Sequence, residues 1–469
     1  MQPRIERLSV DHLHQSDGWR SPAFLEIDAQ GFIARIEDRR PDAWGSTPAP
    51  HLSGFAIPGL CNVHSHAFQR ALVGRTEANE PGREDSFWTW REEMYRLAQV
   101  FTPDALRAVA AQLYVEMLEA GMTSVGEFHY LHHRPDGARY ADPAEMSLAI
   151  LQAAEQTGIS LTMLPVLYLR GGFDRPASDL QRPFLHRDVQ DYLQLVERLR
   201  AERTRLSELR VGVAPHSLRA VPEAALLELA AGIAAIDPDA PVHLHIAEQN
   251  AEVEQCIAAL GSRPIDWLID HLPVDHRWCL VHATHADVGE REKIIASRAV
   301  VGLCPTTEAN LGDGLFPARA FTGQGGRFGI GSDSQATVSA TEELRLLEYS
   351  QRLSEQRRNV LAEPSHPLQR HVGRFLFDRA LEGGAEALAQ PVWAAMEGRR
   401  ADLVVLDADH PRLTGHGAET VLDAWIIGGA EGAVRDVIAG GRHLVREGRH
   451  VDRAEIATRF RKAIAGLRG

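Results

Sequence analysis

The chain has 469 residues, 44% of them apolar and 24% charged, and a formal net charge of −14. That acidic balance argues against nucleic acid as a general partner, and no stretch is long and apolar enough to span a membrane. The start, MQPRIERLSV, lacks a secretory apolar core, so a soluble cytoplasmic protein, too long for one ordinary domain, is expected.

Residues 1–54 hold short alternating strands such as AFLEID and FIARIE, broken at DAQG. From residue 55 onward, apolar or β-branched runs alternate with helix-like segments. The runs are FAIPGLCNVHSH (55–66), MTSVGEF (122–128), SLTMLPVLY (160–168), RVGVAPH (210–216), APVHLHIAE (240–248), CLVHATH (279–285), VVGLCPT (300–306) and FGIGSDS (328–334). Between them, Thr102 is suited to cap a helix, Pro103 to its first turn, and Gly121 to its end, with Leu106, Val109, Ala110, Leu113 and Met117 on one stripe. TEELRLLEYSQRL, from Thr341, predicts the helix after the eighth run. Eight buried parallel runs predict an α/β chain with a (β/α)8 barrel over residues 55–390.

Residues 399–450 return to short strands (ADLVVLD, AWIIGG, VRDVIAGGRHLVREGRH) with glycine turns. The two ends, 1–54 and 391–469, are expected to pair into a small β-sandwich domain beside the barrel. Cys61, Cys279 and Cys304 lie in strand-like runs and Cys256 in a helix-like one, without metal-ligand spacing. They are expected as buried thiols.

His64 and His66 close the first run. Two residues apart on a strand, their imidazoles point to one side, into the barrel. An isolated H-x-H pair says little, but His245, His282 and Asp333 end the fifth, sixth and eighth runs. All five fall on the face where barrel active sites are built. Three imidazoles and a carboxylate, from His64, His66, His245 and Asp333, suit zinc, with iron(II) or manganese(II) as alternatives. His243 shares the face of His245 but lies deeper in its strand, and fits a supporting or core position. Glu248, three residues beyond His245, can reach over the metal and shuttle a proton, and His282 can steady the water or the tetrahedral centre by hydrogen bonding. The chain has only two lysines, Lys293 and Lys462, neither near the fourth run. A carbamylated lysine bridging two metals has no candidate there, so one ion is expected.

The set PGLCNVHSH, HLHIAE, VHATH and GSDS resembles the amidohydrolase superfamily in its mononuclear deaminase branch. Within that branch HSHAFQR, SFWTWREEMY, GMTSVGEFHYLHH, APHSLRAV, GLCPTTEANLGDG and GSDSQ resemble the formimidoylglutamate deiminases. The resemblance spans nearly the whole chain. It implies hydrolysis of N-formimino-L-glutamate to N-formyl-L-glutamate and ammonia in histidine degradation, and a homodimer. It also implies metal ligands His64, His66, His245 and Asp333, catalytic Glu248, His282 and Asp333, and a glutamate-binding set of Gln69, Arg91, Tyr130, His216 and Arg219. A substrate with two carboxylates agrees with Arg219, since arginine's planar fork matches a carboxylate. Arg91 also reads as part of a charged helix face with local ion pairs. Two other readings stand beside this one. A deaminase of a purine, pterin or triazine ring would want aromatic stacking, for which Trp88 and Trp90 are candidates. An inactive barrel scaffold would be expected to lack ligands that this chain has.

Overall fold

A computed structural model describes residues 2–46, 48–78, 82, 85–206, 208–391 and 394–467. Eight parallel segments form its centre: β1 Leu60–Ser65, β2 Met122–His129, β3 Ser160–Leu167, β4 Arg210–Pro215, β5 Val242–Ile246, β6 Trp278–His282, β7 Val300–Leu303 and β8 Arg327–Ile330. β4 is interrupted, with regular pairing only at Arg210–Val211 and Ala214–Pro215. Successive segments pair in parallel, and β8 returns to β1 through Ile330 and Asn62. Between β4 and β5 the link is the parallel bridge Val213–Val242, with His243 N–H donating to the Val213 carbonyl at 3.0 Å. The sheet thus curls round on itself. β2 and β3 are buried at every residue, which is why these runs read as continuous apolar sequence: the lumen packs one side and helices the other.

The helix Pro103–Glu119 starts as its sequence predicts, with Thr102 Oγ1 accepting from Ala105 N–H at 3.2 Å. Gly121, at φ +86°, turns the chain into β2. Ser339 caps the helix Ala340–Glu355, which follows β8, by accepting from Glu342 N–H.

The first predicted run divides between two sheets. Phe55–Pro58 ends the strand His51–Pro58, which pairs with Arg7–Gln15 and Leu403–Leu406, and only Leu60 onward is barrel. Gly59 makes the crossing, where a Cβ would meet the Thr123 side chain at 2.3 Å. Strands from both chain ends make one hydrogen-bonded sheet of nine strands around Leu8, Val10, Leu25, Ile33, Leu403 and Val405. The two layers expected of a sandwich are therefore not separately bonded sheets. AWIIGG is not a strand: Ala424–Ile426 ends the helix Val421–Ile426, all but one of whose residues are buried, and the rest is its cap and a turn. Short apolar runs do not separate strand from buried helix by periodicity. The C-terminal helix Arg453–Gly466, which the sequence reading did not anticipate, packs on Pro103–Glu119.

The helix Val372–Ala387 floors the barrel. His243 Nε2 meets the Ala387 carbonyl at 2.8 Å and Thr162 Oγ1 donates to the Leu388 carbonyl at 2.8 Å. His243 is thereby a buried structural histidine. A Cβ on Gly383 would stand 2.1 Å from the Phe328 carbonyl oxygen. We expect Gly383→Ala to lower stability by about 1–3 kcal/mol, read as a lower melting temperature. An unchanged value would mean that the helix can shift off β8.

Candidate active site

The C-terminal ends of β1, β5, β6 and β8 bring His64, His66, His245, His282 and Asp333 together, each at most 6% exposed. His64 Nε2 lies 3.1 Å from His66 Nε2 and 3.0 Å from His245 Nε2. Asp333 Oδ1 is 3.5 Å from His64 Nε2 and 3.2 Å from His66 Nε2, and Oδ2 is 3.6 Å from His282 Nε2.

The outer nitrogens fix the tautomers. His66 Nδ1 faces the Phe128 carbonyl at 2.8 Å and His245 Nδ1 the His216 carbonyl at 3.1 Å. Each Nδ1 must donate, so each Nε2 turns a lone pair inward. Burial, and after it the neighbouring His66, lower the pKa of His64 to about 3, and burial with His64 and His216 lowers that of His245. Converging lone pairs of neutral imidazoles repel unless a cation lies between them. Two nitrogens at about 2.0–2.1 Å from a tetrahedral zinc are about 3.3 Å apart, close to the spacing found. With the adjoining Asp333 carboxylate, the donor set fits one divalent ion.

The backbone is strained where these groups are delivered. His282 (φ +68°) sits at the centre of a γ-turn closed by Ala283 N–H to the Val281 carbonyl, and Asp333 has φ +45°. Asp333 is held on both sides: its N–H donates to the His64 carbonyl, and its carbonyl accepts from His66 N–H and Gln335 Nε2. Asn62, Ser332 and Gln335 form a buried chain that fastens β8 to β1.

Glu248 follows Ala247 (φ +50°) and lies 3.7 Å from His282 Nε2 through Oε1. Burial raises its pKa, against the pull of His282 and Arg219. For His282, burial works against the cation, but Glu248, Glu308 and Asp333 outweigh it and hold the pKa up at about 10. Burial would raise Asp333, yet His64 and His66 hold it well below the ordinary carboxylate range. This pair of carboxylates beside an imidazole can accept, hold and return protons.

The residues expected to hold the glutamate moiety lie on the β2–β4 side. Gln69 Nε2 donates to Tyr130 Oη at 2.7 Å, and its Oε1 is buried without a hydrogen-bond partner among the described residues. The Tyr130 and His216 rings stand 5.0 Å and 4.9 Å from His66 and His245. Arg219 is only 4% exposed, and its Nε and Nη1 have no hydrogen-bond partner among the described residues. Arg91 and Arg219 approach the same indole, Trp88, at 4.5 Å and 5.9 Å from its centroid. The local ion pairs on that helix belong to Arg96, with Glu92 and Glu93, while Arg91 faces Trp88 and Tyr95.

Several contributors were not read from the sequence. Glu308, beyond β7, takes His282 Nδ1 at 3.3 Å and Cys304 N–H at 2.9 Å. Glu127, on β2, accepts from Ser65 Oγ at 2.9 Å and Ala67 N–H at 2.6 Å, clamping the segment that carries His64 and His66. Asp313 is buried beside this cluster, and burial together with Glu248 pushes its carboxyl up to about 9. Their only available signal was a carboxylate near a strand end. The four cysteines are buried, unbridged thiols.

A histidine–carboxylate cluster at the C-terminal mouth of a curled parallel sheet defines a metal-dependent hydrolase of the barrel type. Residues 55–444 match the amidohydrolase family, and the chain belongs to that family. It is 49% identical to the formimidoylglutamate deiminase of Pseudomonas aeruginosa, covering 96% of this chain and 97% of that protein. It is 26% identical to the 5-methylthioadenosine/S-adenosylhomocysteine deaminase of Natronomonas pharaonis, over 88% of this chain and 87% of that one. The solved structure of an amidohydrolase from Brucella melitensis superposes with a TM-score of 0.91 at 43% identity, over 99% of this chain and all of that one.

Proposed function

We propose that the chain hydrolyses N-formimino-L-glutamate to N-formyl-L-glutamate and ammonia, with one zinc ion held by His64, His66, His245 and Asp333. The carrying observation is the polarity of the site. Carboxylates of Glu248, Asp313 and Asp333 gather around His282, while Arg91 and Arg219 meet at the Trp88 indole, with Arg219 Nε and Nη1 buried and without a hydrogen-bond partner among the described residues. The substrate has the matching shape, a basic amidine at one end and two carboxylates at the other. The 49% identical deiminase of Pseudomonas aeruginosa supports the same substrate.

When bound, the ion supplies Lewis acidity and a water whose pKa falls toward roughly 7. Arg219 and Arg91 hold the substrate carboxylates, with Gln69, Tyr130 and His216 around them, and so place the formimino carbon above the histidine cluster. Glu248, with Asp333 beside it, takes one proton from the attacking water. Its oxygen bonds to the formimino carbon, and the C=N electrons pass to the terminal nitrogen. His282 hydrogen-bonds the new tetrahedral centre. Glu248 returns the proton to the terminal nitrogen. As the C–N bond breaks, the hydroxyl oxygen forms the C=O bond and gives its remaining proton to Asp333, and ammonia leaves a formyl group on the glutamate nitrogen.

Ring deamination is not favoured by the site: the Trp88 face that a flat base would use is approached by two guanidiniums. Ammonia release from N-formimino-L-glutamate, guanine and cytosine decides between the readings. Release from the first alone is expected, and release from a ring alone would overturn the assignment. Dialysis against a chelator is expected to abolish turnover and lower the melting temperature, since the ion stabilises the state that binds it. Metal analysis should then return one zinc per chain when activity is restored. Two would contradict a mononuclear centre.

A further inference from the structure

We propose that Asp313 determines specificity: with Glu248 it receives the terminal nitrogen of the formimino group and so selects which C–N bond breaks. The inference rests on the substrate reading above.

Asp313 is delivered by a built element. The helix Pro305–Leu311 follows β7 and ends at Gly312 (φ +70°), and Asp313 N–H then donates to the Glu308 carbonyl at 2.9 Å. The Asp313 side chain is buried. Its Oδ1 accepts from Gln249 Nε2, and its Oδ2 is buried with no hydrogen-bond partner among the described residues. Gln249 is the residue after Glu248, so one short segment ties the two carboxyls together. The charges around Asp313 are those of the metal end: Glu248, His282, Glu308 and Asp333.

Two buried carboxyls set against each other are unfavourable unless a proton or a cation lies between them. An amidine meets that need. It is a strong base, arrives as a cation, and its terminal NH2 carries two donors, enough for Asp313 Oδ2 and Glu248 together. The glutamate nitrogen cannot compete for this place, because it is bonded to the carbon whose carboxylate the β2–β4 side retains. The nitrogen nearest the shuttling carboxyl is then the terminal one, and ammonia leaves.

The test compares two ligands in Asp313→Asn and Asp313→Ala. N-formimino-L-glutamate carries the terminal nitrogen. N-formyl-L-glutamate keeps both carboxylates but presents a carbonyl oxygen, and its affinity is read as an inhibition constant. We expect kcat/KM for the formimino compound to fall about a hundredfold, while the inhibition constant of the formyl compound stays the same or improves. Arg219→Met should weaken both ligands alike. Zinc content and melting temperature, unchanged in Asp313→Asn, separate the effect from misfolding. Equal weakening of both ligands by the Asp313 variants, or unchanged kcat/KM, would overturn the proposal. Failure of the unaltered protein to hydrolyse N-formimino-L-glutamate would instead overturn the reading beneath it.

Discussion

Glutamine in place of Glu248 is expected to lower kcat by about a thousandfold, with zinc content and KM nearly unchanged. Glu248 is 5% exposed and stands against His282, outside the set of His64, His66, His245 and Asp333 that could hold the ion. Glutamine keeps its shape and a hydrogen bond, but cannot take a proton from water and return it to nitrogen. The loss should therefore fall on the chemical step, not on binding. Steady-state kinetics with metal analysis checks this. A kcat within tenfold of the unaltered protein would remove Glu248 from the proton path and leave Asp333 as the remaining carboxylate of that pair. Loss of zinc would instead make Glu248 part of the metal site.

The second large effect concerns Arg219. Its guanidinium is buried, and Nε and Nη1 have no partner among the described residues. Burial works against the cation, but Glu252 and Glu248 outweigh it and hold its pKa above the ordinary arginine value, while the unused donors stay available for a substrate carboxylate. Arg219→Met keeps much of the volume and removes the charge. We expect kcat/KM to fall by about 10²–10³, or roughly 3–4 kcal/mol of lost carboxylate binding, mostly through KM. The melting temperature of the ligand-free protein should not rise, because Glu248 and Glu252 lose a compensating charge. Arg219→Lys should recover little, because an ammonium cannot reproduce the planar fork. A variant with unaltered KM would place the carboxylates elsewhere in the site.

The site was legible in proportion to how local its determinants are. His64, His66, His245 and Asp333 each end a β-rich run, and in a parallel barrel every such end lies on one face. The sequence therefore named residues from position 64 to 333 that converge in space. His243 was separated from His245 by depth along one strand, and the structure places it on the Ala387 carbonyl at the barrel floor. The partners that tune these groups were not legible. Glu308, Glu127 and Asp313 act through contacts across 26, 60 or more residues, or through a turn beyond a strand end, and no local pattern announces them.

What the sequence by itself determined is the order of elements, the eight buried strands and the residue types at their ends. These follow from side-chain period, turn residues and chain direction, all of which are short-range. Tertiary structure alone decided that Phe55–Pro58 joins the outer sheet while Leu60–Ser65 joins the barrel. It also put the start of AWIIGG in a helix, set a helix under the barrel, and left Arg219 and Asp313 with buried atoms that have no hydrogen-bond partner among the described residues. Those outcomes depend on which surfaces meet after folding. Burial, strand partners and unpaired polar groups are properties of distant residues brought together, and no window of the chain contains them.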